Sequence, residues 1–261
     1  MPFRLSRSAA GVISWLGLAL ITASFVVLIV NSRSPTQPVI THARKLQPVS
    51  VVVLDPGHGG QDSGAISGNV LEKDLTLDVA QRVERLLTVQ GVATVMTRVG
   101  DAYVSLADRS AMTNRLDAAI FVSVHFNDGV RPVASGVETY FAARQTSGGP
   151  QIATWLPFLQ RVSSEQPNIE SQSLAGFIQQ ELVGRTQATN RGTKAEQFYV
   201  LSNVRHPAVL VEGGFLTNKS DIARLNDSSY REQLAIGISN GILAYREAVR
   251  HRGPLLTGGA R

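Results

Sequence analysis

The stretch Val51–Ala65, VVVLDPGHGGQDSGA, begins as an apolar run and changes at Pro56 into a loop that contains four glycines. A short, continuous apolar run that ends in a glycine-rich turn is typical of a buried strand in a largely parallel sheet. Loops of this kind often bind phosphate through backbone N–H groups. This loop carries His58 instead, and it lacks the lysine and the serine or threonine of a nucleotide-binding loop. The stretch therefore predicts a buried strand that delivers a histidine to the edge of a sheet.

Apolar runs and amphipathic segments alternate through the rest of the chain. We predict helices over 72–90, 105–116, 171–185 and 229–249, and strands over 51–55, 92–97, 119–125, 136–142, 198–201 and 208–212. Two helix starts carry capping signals, Ser105 with Asp108 and Ser229 with Glu232. Strands that alternate with helices of this length indicate an α/β fold, a three-layer α/β/α sandwich around a mostly parallel mixed sheet.

The N-terminal part of the chain predicts a membrane anchor. Residues 11–30 contain no charged side chain, and about 20 apolar residues suffice to span a bilayer as a helix. Arg4 and Arg7 precede this run, which places a short N-terminus in the cytoplasm and the bulk of the chain in the periplasm or extracytoplasmic space. We therefore predict a cytoplasmic segment over 1–10 and a transmembrane signal-anchor over 11–31. A cleaved signal peptide is the alternative, although its apolar region is usually only about 7–15 residues long.

The remainder of the chain divides by composition. Residues 32–48 contain three prolines and little periodicity, which predicts a linker. Residues 49–249 form the predicted folded domain, and 250–261 a disordered tail. Within the domain, 145–172 is a long stretch without a clear pattern. Insertions of this length in compact domains are usually lids, binding loops or disordered segments.

The charge of the chain is unevenly distributed. It has 25 lysines and arginines against 20 acidic residues, a formal net charge of +5. Five of the basic residues and none of the acidic ones precede Gln47, so the rest of the chain carries 20 of each. It lacks the basic excess that is typical of proteins that bind nucleic acids. The chain has no cysteine and therefore no disulfide.

Reactive side chains stand where several predicted elements begin or end. His58 follows the first strand, His125 ends the third, and Glu212 ends a later one, while Glu72 opens the first long helix. The carboxyl ends of parallel strands share one edge of a sheet, and ligands of α/β proteins gather there. Two histidines and one glutamate are a donor set that can hold a catalytic zinc ion and leave a position open for water.

Each of these residues also has a structural alternative. His58 could be an ordinary loop residue, and His125 could be a hydrogen-bonded residue of the core. Glu72 fits the third helical position of a capping box begun by Asn69. Glu212 follows four apolar residues, and its burial could be compensated by an ion pair with Arg98 or Arg109. The expected convergence of all four residues on one sheet edge favours the chemical interpretation.

Four motifs, LDPGHGGQDSGA, FVSVHFN, RGTK and PAVLVEGGFLTN, occur in this order, with Glu72 at the start of a helix between the first two. Together they resemble the motifs of the zinc-dependent N-acetylmuramoyl-L-alanine amidases of bacterial cell walls, over residues 50–248. The resemblance implies that His58, Glu72 and His125 bind Zn²⁺. It also implies that Glu212 is the catalytic glutamate.

The resemblance further implies a hydrolase that cleaves the amide bond between N-acetylmuramic acid and L-alanine in peptidoglycan, in cell-wall hydrolysis or remodelling. Its expected partners are peptidoglycan and, through the N-terminal helix, the membrane; a protein activator is not identified. Two alternatives stay open, a zinc peptidase acting on stem peptides and a non-catalytic peptidoglycan-binding domain. Some members of the family carry an inserted helix that plugs the active site, and 145–172 lies in a comparable place but is short for that role.

Overall fold

The structure is a computed structural model that describes residues 49–129, 133–145 and 168–251. The predicted cytoplasmic segment over 1–10, the anchor over 11–31, the linker over 32–48, most of the stretch over 145–172 and residues 252–261 of the predicted tail lie outside these ranges, so those interpretations stay predictions. Within the described ranges, no helix has both the length and the apolar character needed to cross a bilayer.

Strands and helices alternate along the described chain. The strands are β1 (Val51–Pro56), β2 (Ile66–Ser67), β3 (Val70–Leu71), β4 (Ala93–Met96), β5 (Ala119–Asn127), β6 (Val137–Phe141), β7 (Asn190–Ala195) and β8 (Ala208–Phe215). The helices are α1 (Glu72–Val89), α2 (Leu106–Asn114), α3 (Ile169–Thr186), α4 (Tyr199–Ser202), α5 (Lys219–Asn226) and α6 (Ser228–His251). The predicted α/β fold is confirmed.

Six of these strands form one mixed sheet in the order β4-β1-β5-β8-β6-β7, and β2 and β3 form a short antiparallel hairpin. Strands β4, β1, β5 and β8 run parallel to one another. Strand β6 is antiparallel to β8, and β7 is parallel to β6. The carboxyl ends of β1, β5 and β8 therefore lie side by side, as the sequence predicted.

The register of the central strands places three polar residues on one face. His125 of β5 is opposite Glu212 of β8, and Glu212 is in turn opposite Glu138 of β6. Because side chains alternate between the two faces of a strand, the three side chains project to the same side of the sheet. The ladder between β5 and β8 shifts register after His125, so the pairing is irregular where β5 ends.

The two faces of the sheet are covered unequally. On one face, Val52, Leu54 and Val122 are fully buried in the main core, which α1, α3 and α6 complete. On the other face, a smaller core that includes Val53 and Phe121 lies near α2 and α4. These two helices have only nine and four residues. The second layer is therefore thin, and the side chains that project from the carboxyl ends of the strands face a cavity.

The segment 198–201 differs from its predicted strand: α4 covers Tyr199–Ser202, and Phe198 is its N-cap residue. Val200 and Leu201 are buried, whereas Phe198 and Tyr199 are exposed. Aromatic and β-branched residues favour strands, but that preference depends strongly on tertiary context. Here the burial of two adjacent residues against the small core decides the conformation.

One of the two predicted helix caps is confirmed. The Ser105 side chain accepts a hydrogen bond from the backbone N–H of Asp108, 3.1 Å away, at the start of α2. The box predicted at Ser229 is wrong, because Asp227 accepts the Ser229 N–H and Glu232 pairs with an arginine of α1 instead. The local pattern was compatible with a cap, but Glu232 forms a long-range ion pair with Arg82 instead.

Candidate active site

The three side chains predicted to bind a metal, His58, Glu72 and His125, meet at the carboxyl ends of β1 and β5. Their ligand atoms all lie within 4.8 Å of one another. Glu72 Oε1 is 3.0 Å from His58 Nε2 and 2.9 Å from His125 Nδ1. The two imidazole rings meet edge-on with their centres 4.9 Å apart. Two imidazoles and one carboxylate at this spacing fit a divalent metal ion and match the donor chemistry of catalytic zinc sites.

The glycine-rich loop fixes the orientation of His58. Its backbone has a φ of +60°, in the left-handed region that few non-glycine residues adopt. Asp62 Oδ2 lies 2.9 Å from Nδ1 of the ring, so a proton on Nδ1 is shared with this carboxylate and Nε2 is left for a metal. Arg109 donates to the His58 carbonyl over 2.7 Å. The ring of His58 and its backbone carbonyl are therefore both held in place.

Two glycines in the same loop leave space for the metal-binding side chains. A Cβ at Gly57 would overlap the ring of His125. A Cβ at Gly64 would overlap the carboxylate of Glu72 and the ring of His58, and Gly64 also has a φ of +64°. Glycine is therefore required at both positions for close approach, which the sequence showed only as a glycine-rich loop.

Glu72 does not belong to a capping box. The N-cap residue of α1 is Leu71, with no side-chain cap hydrogen bond. Glu72 accepts hydrogen bonds from the backbone N–H groups of Ala65, at 2.8 Å, and Phe126, at 3.1 Å. Burial acts to raise the pKa of Glu72, but the hydrogen bonds and charges of the two histidines outweigh it and hold that pKa well below its usual range. The carboxylate is therefore ionised and directed at the histidines.

Glu212 lies beside His125 and lines the same cavity. Its Oε2 atom is shielded from solvent and has no hydrogen-bond partner among the described residues. Burial is the main cause that raises the pKa of Glu212 well above its usual value, and the nearby charges of Glu72 and Glu138 add to it. A buried carboxylate that lacks a partner is costly, and such groups are found where chemistry uses them.

The alternative ion pair between Glu212 and an arginine is wrong. Arg98 donates to backbone carbonyls, including that of Gly57 at 2.8 Å. Arg109 pairs with Asp55 at 2.6 Å. Both arginines therefore hold the glycine-rich loop and the end of β1, and neither compensates the charge of Glu212.

We expect Arg109→Met to lower the free energy of unfolding by about 3–5 kcal/mol, because breaking a buried pair leaves one charge uncompensated. That charge is Asp55, which is 1% exposed. Urea denaturation in the presence of a chelator measures the change without a contribution from bound metal. Arg85→Met, at an exposed position of α1, is the control and should change the stability by less than about 0.5 kcal/mol. Equal stability of both variants would contradict the structural role of Arg109.

Glu138 is a second buried carboxylate at the site, and the sequence analysis missed it. Its oxygens accept hydrogen bonds from the Tyr140 hydroxyl at 2.7 Å and from Arg191 Nε at 2.8 Å, and Lys194 Nζ also pairs with it. Burial opposes ionisation, but these partners keep the pKa of Glu138 below its usual value. The RGTK motif supplies both cations, so that motif was the available signal. The ionised carboxylate faces Glu212 on the neighbouring strand.

A cavity of about 480 Å³ opens beside the two histidines and Glu212. It lies between the N-terminal ends of α2 and α4. Its lining residues are Asp55, His58, Asp62, Tyr103, Val104, Leu106, Arg109, His125, Phe198, Tyr199, Val200, Leu210 and Glu212. The volume is within the range of about 300–1,000 Å³ that is usual for small-molecule sites.

Comparison with known proteins agrees with this site. The sequence matches the N-acetylmuramoyl-L-alanine amidase family over residues 52–244. It is 36% identical over 205 residues to the uncharacterized protein YqiI of Bacillus subtilis, covering 78% of this chain and 89% of that protein. It is 33% identical over 194 residues to the N-acetylmuramoyl-L-alanine amidase LytC of the same organism, covering 74% of this chain and 35% of LytC.

Solved structures give the same result. The crystal structure of an N-acetylmuramoyl-L-alanine amidase from Clostridium difficile 630 superposes with a TM-score of 0.65 at 32% identity, over 77% of this chain and 99% of that one. The resemblance deduced from the four motifs is thereby confirmed. The chain belongs to the N-acetylmuramoyl-L-alanine amidase family.

Proposed function

We propose that the protein is a zinc-dependent hydrolase that cleaves the amide bond between the lactyl group of N-acetylmuramic acid and L-alanine in peptidoglycan. One observation carries the proposal: Glu212, whose shielded Oε2 atom has no partner among the described residues, lines the same cavity as the histidines of a three-ligand metal site. A metal site alone would also suit a binding domain. A buried carboxylate beside it provides the proton-transfer group that hydrolysis needs. Family membership supports the choice of bond.

The residues of the site divide the chemistry between them. Zn²⁺ held by His58, Glu72 and His125 would supply Lewis acidity toward the amide carbonyl and toward water. Glu212 accepts the proton of the attacking water and then passes it to the nitrogen of L-alanine as the amide bond breaks. Burial raises the pKa of Glu212, which makes its ionised form a stronger base toward the water and stabilises the proton that it holds until the amide nitrogen accepts it.

Product analysis tests the proposed reaction. Zinc-loaded full-length protein is incubated with purified peptidoglycan, with Glu212→Gln in parallel, and the products are identified by mass spectrometry. We expect peptide-free glycan and free stem peptides that begin with L-alanine, from the unmutated protein only. Cleavage inside the stem peptide would support the zinc peptidase instead. Binding to peptidoglycan without any product would support the non-catalytic domain, and either result would contradict the proposal.

We further infer from the sequence that residues 11–31 anchor the enzyme in the membrane, with the catalytic domain in the periplasm or extracytoplasmic space. The support is the uncharged run over 11–30 and the two arginines that precede it. Cell fractionation followed by mass spectrometry of the intact chain tests this inference. We expect the full-length chain in the membrane fraction after a high-salt wash. A shortened chain in the soluble fraction would show that the segment is a cleaved signal peptide.

A further inference from the structure

The exposed aromatic residues of the described chain are concentrated at one place. Tyr103, Phe198 and Tyr199 are 53%, 40% and 49% exposed, and no other described aromatic side chain is exposed to this degree. All three line the cavity beside the metal site, together with Leu106, which is 54% exposed. Clustered exposure of large apolar side chains marks an interaction site, whereas scattered exposure needs no explanation.

These side chains form two walls. Tyr103 lies shortly before α2 and Leu106 is its first residue, whereas Phe198 is the N-cap of α4 and Tyr199 its first residue. The Phe198 ring is held edge-on against Tyr140, with the ring centres 5.2 Å apart. Since the Tyr140 hydroxyl donates to Glu138, this wall is connected to the buried network beside Glu212. Phe198 is thus held in place relative to Glu138 and Glu212.

Apart from the proposed metal ion, the described side chains that line the cavity supply no free cation for an anionic ligand. Arg109 is the one cation of fixed charge among the lining residues, and its four recorded hydrogen bonds go to Asp55 and to three backbone carbonyls. Asp62 is acidic, and its side chain is 46% exposed. If the amide carbonyl occupies the open position of the metal ion, a carboxylate between the walls finds no other free cation among the described lining residues, and it meets the like charge of Asp62.

We propose that the cavity between the aromatic walls binds the glycan side of the substrate, the pyranose ring of N-acetylmuramic acid, and that the stem peptide leaves the site in another direction. This inference rests on the proposed function. A pyranose has apolar C–H faces that can stack on aromatic rings and an uncharged polar rim, whereas a stem peptide carries carboxylates. Aromatic residues suit such a ligand because they combine a large apolar surface with, for tyrosine, a polar tip. The cavity volume of about 480 Å³ suits a sugar ring with its substituents.

Two substrates with the same scissile amide test the inference by turnover. They are N-acetylmuramoyl-L-alanyl-D-isoglutamine and D-lactoyl-L-alanyl-D-isoglutamine, which lacks the sugar. For the zinc-loaded full-length protein we expect kcat/KM to be at least about 10-fold higher for the first, a preference that corresponds to about 1.4 kcal/mol. Phe198→Ala and Tyr199→Ala should each lower this ratio about 3- to 10-fold, mainly through KM. Tyr199→Phe should keep it, because stacking needs only the ring.

Ile169→Ala is the matched control, since Ile169 is 59% exposed and opens α3, outside the lining of the cavity. It should leave both substrates and their ratio unchanged. If the aromatic variants lower kcat/KM equally for the two substrates, the walls only support the fold of the site and the proposal is overturned. A native ratio near one would overturn it as well.

A binding measurement separates this inference from the proposed reaction. Calorimetry with zinc-loaded Glu212→Gln protein uses peptide-free glycan and the free dipeptide L-alanyl-D-isoglutamine as probes and requires no turnover. We expect the glycan to bind, and its affinity to fall about 10-fold when Phe198→Ala is added. Glycan binding without hydrolysis by the unmutated protein would refute the reaction and keep the glycan site. Binding of the dipeptide alone, weakened by Phe198→Ala, would assign the walls to the peptide and overturn the inference.

Discussion

Replacement of Glu212 by glutamine is expected to lower the rate of amide hydrolysis by about 10²–10⁴-fold, the usual contribution of a positioned general acid or base. Glutamine keeps the size and hydrogen-bonding capacity of the side chain, but it cannot accept and return a proton at this step. The variant should retain its zinc, because Glu212 is not among the three clustered ligand residues. Single-turnover hydrolysis and metal analysis of the same preparation measure both quantities.

The stability of Glu212→Gln provides an internal check. The Oε2 atom of Glu212 is shielded from solvent and has no partner in the part of the chain that the structure describes, so its replacement by a neutral side chain should stabilise the fold or leave it unchanged. Glu247→Gln, at a 57% exposed position of α6, is the matched control and should keep full activity. Undiminished hydrolysis by Glu212→Gln would exclude Glu212 as the proton-transfer group. Loss of zinc from that variant would assign it a role in metal binding instead.

His125→Ala is expected to remove the metal and, with it, the activity. The imidazole is one of three groups clustered around the site, and a catalytic zinc site with two remaining protein ligands is far weaker than one with three. Zinc content should fall from about one ion per chain toward zero after dialysis against a weak chelator. Plasma emission spectroscopy of the dialysed protein measures this content.

His251→Ala is the control for metal loss, since His251 is 78% exposed near the end of α6 and lies outside the cluster. A full equivalent of zinc in His125→Ala would contradict the assignment of His125 as a ligand. The variants Glu212→Gln and His125→Ala are informative as a pair. Glu212→Gln should lose turnover and keep the metal, whereas His125→Ala should lose both, so the two roles are separated in one set of measurements.

The sequence was sufficient for features that depend on local pattern. The buried run at the start of β1 and the apolar run that ends at His125 predicted central strands, because only a position between two neighbours and two helical layers favours such continuous apolar character. The ends of these strands then placed His58, His125 and Glu212 at one edge, without knowledge of any contact. The capping signal at Ser105 was equally local and is confirmed.

Features that depend on distant partners were not predictable in this way. Strand β7 is largely polar because it is an edge strand, so it shows no apolar run. Segment 198–201 has the composition of a strand, and only its packing against the small core makes it helical. In the sequence, Glu138 is only one residue of the predicted strand over 136–142. Arg191 and Lys194, more than 50 residues later, are what make its burial possible.

Gly57 has a consequence for how other members of the family can be sorted. The absent side chain at this position is what allows the His125 ring to reach the metal-binding cluster. A relative that keeps both histidines and the glutamate but has alanine in place of Gly57 would displace that ring. We expect such a protein to have lost its hydrolytic activity although its ligand set looks complete. The residue at the position of Gly57 in a relative's sequence should therefore distinguish inactive members of the family from active ones before any protein is purified.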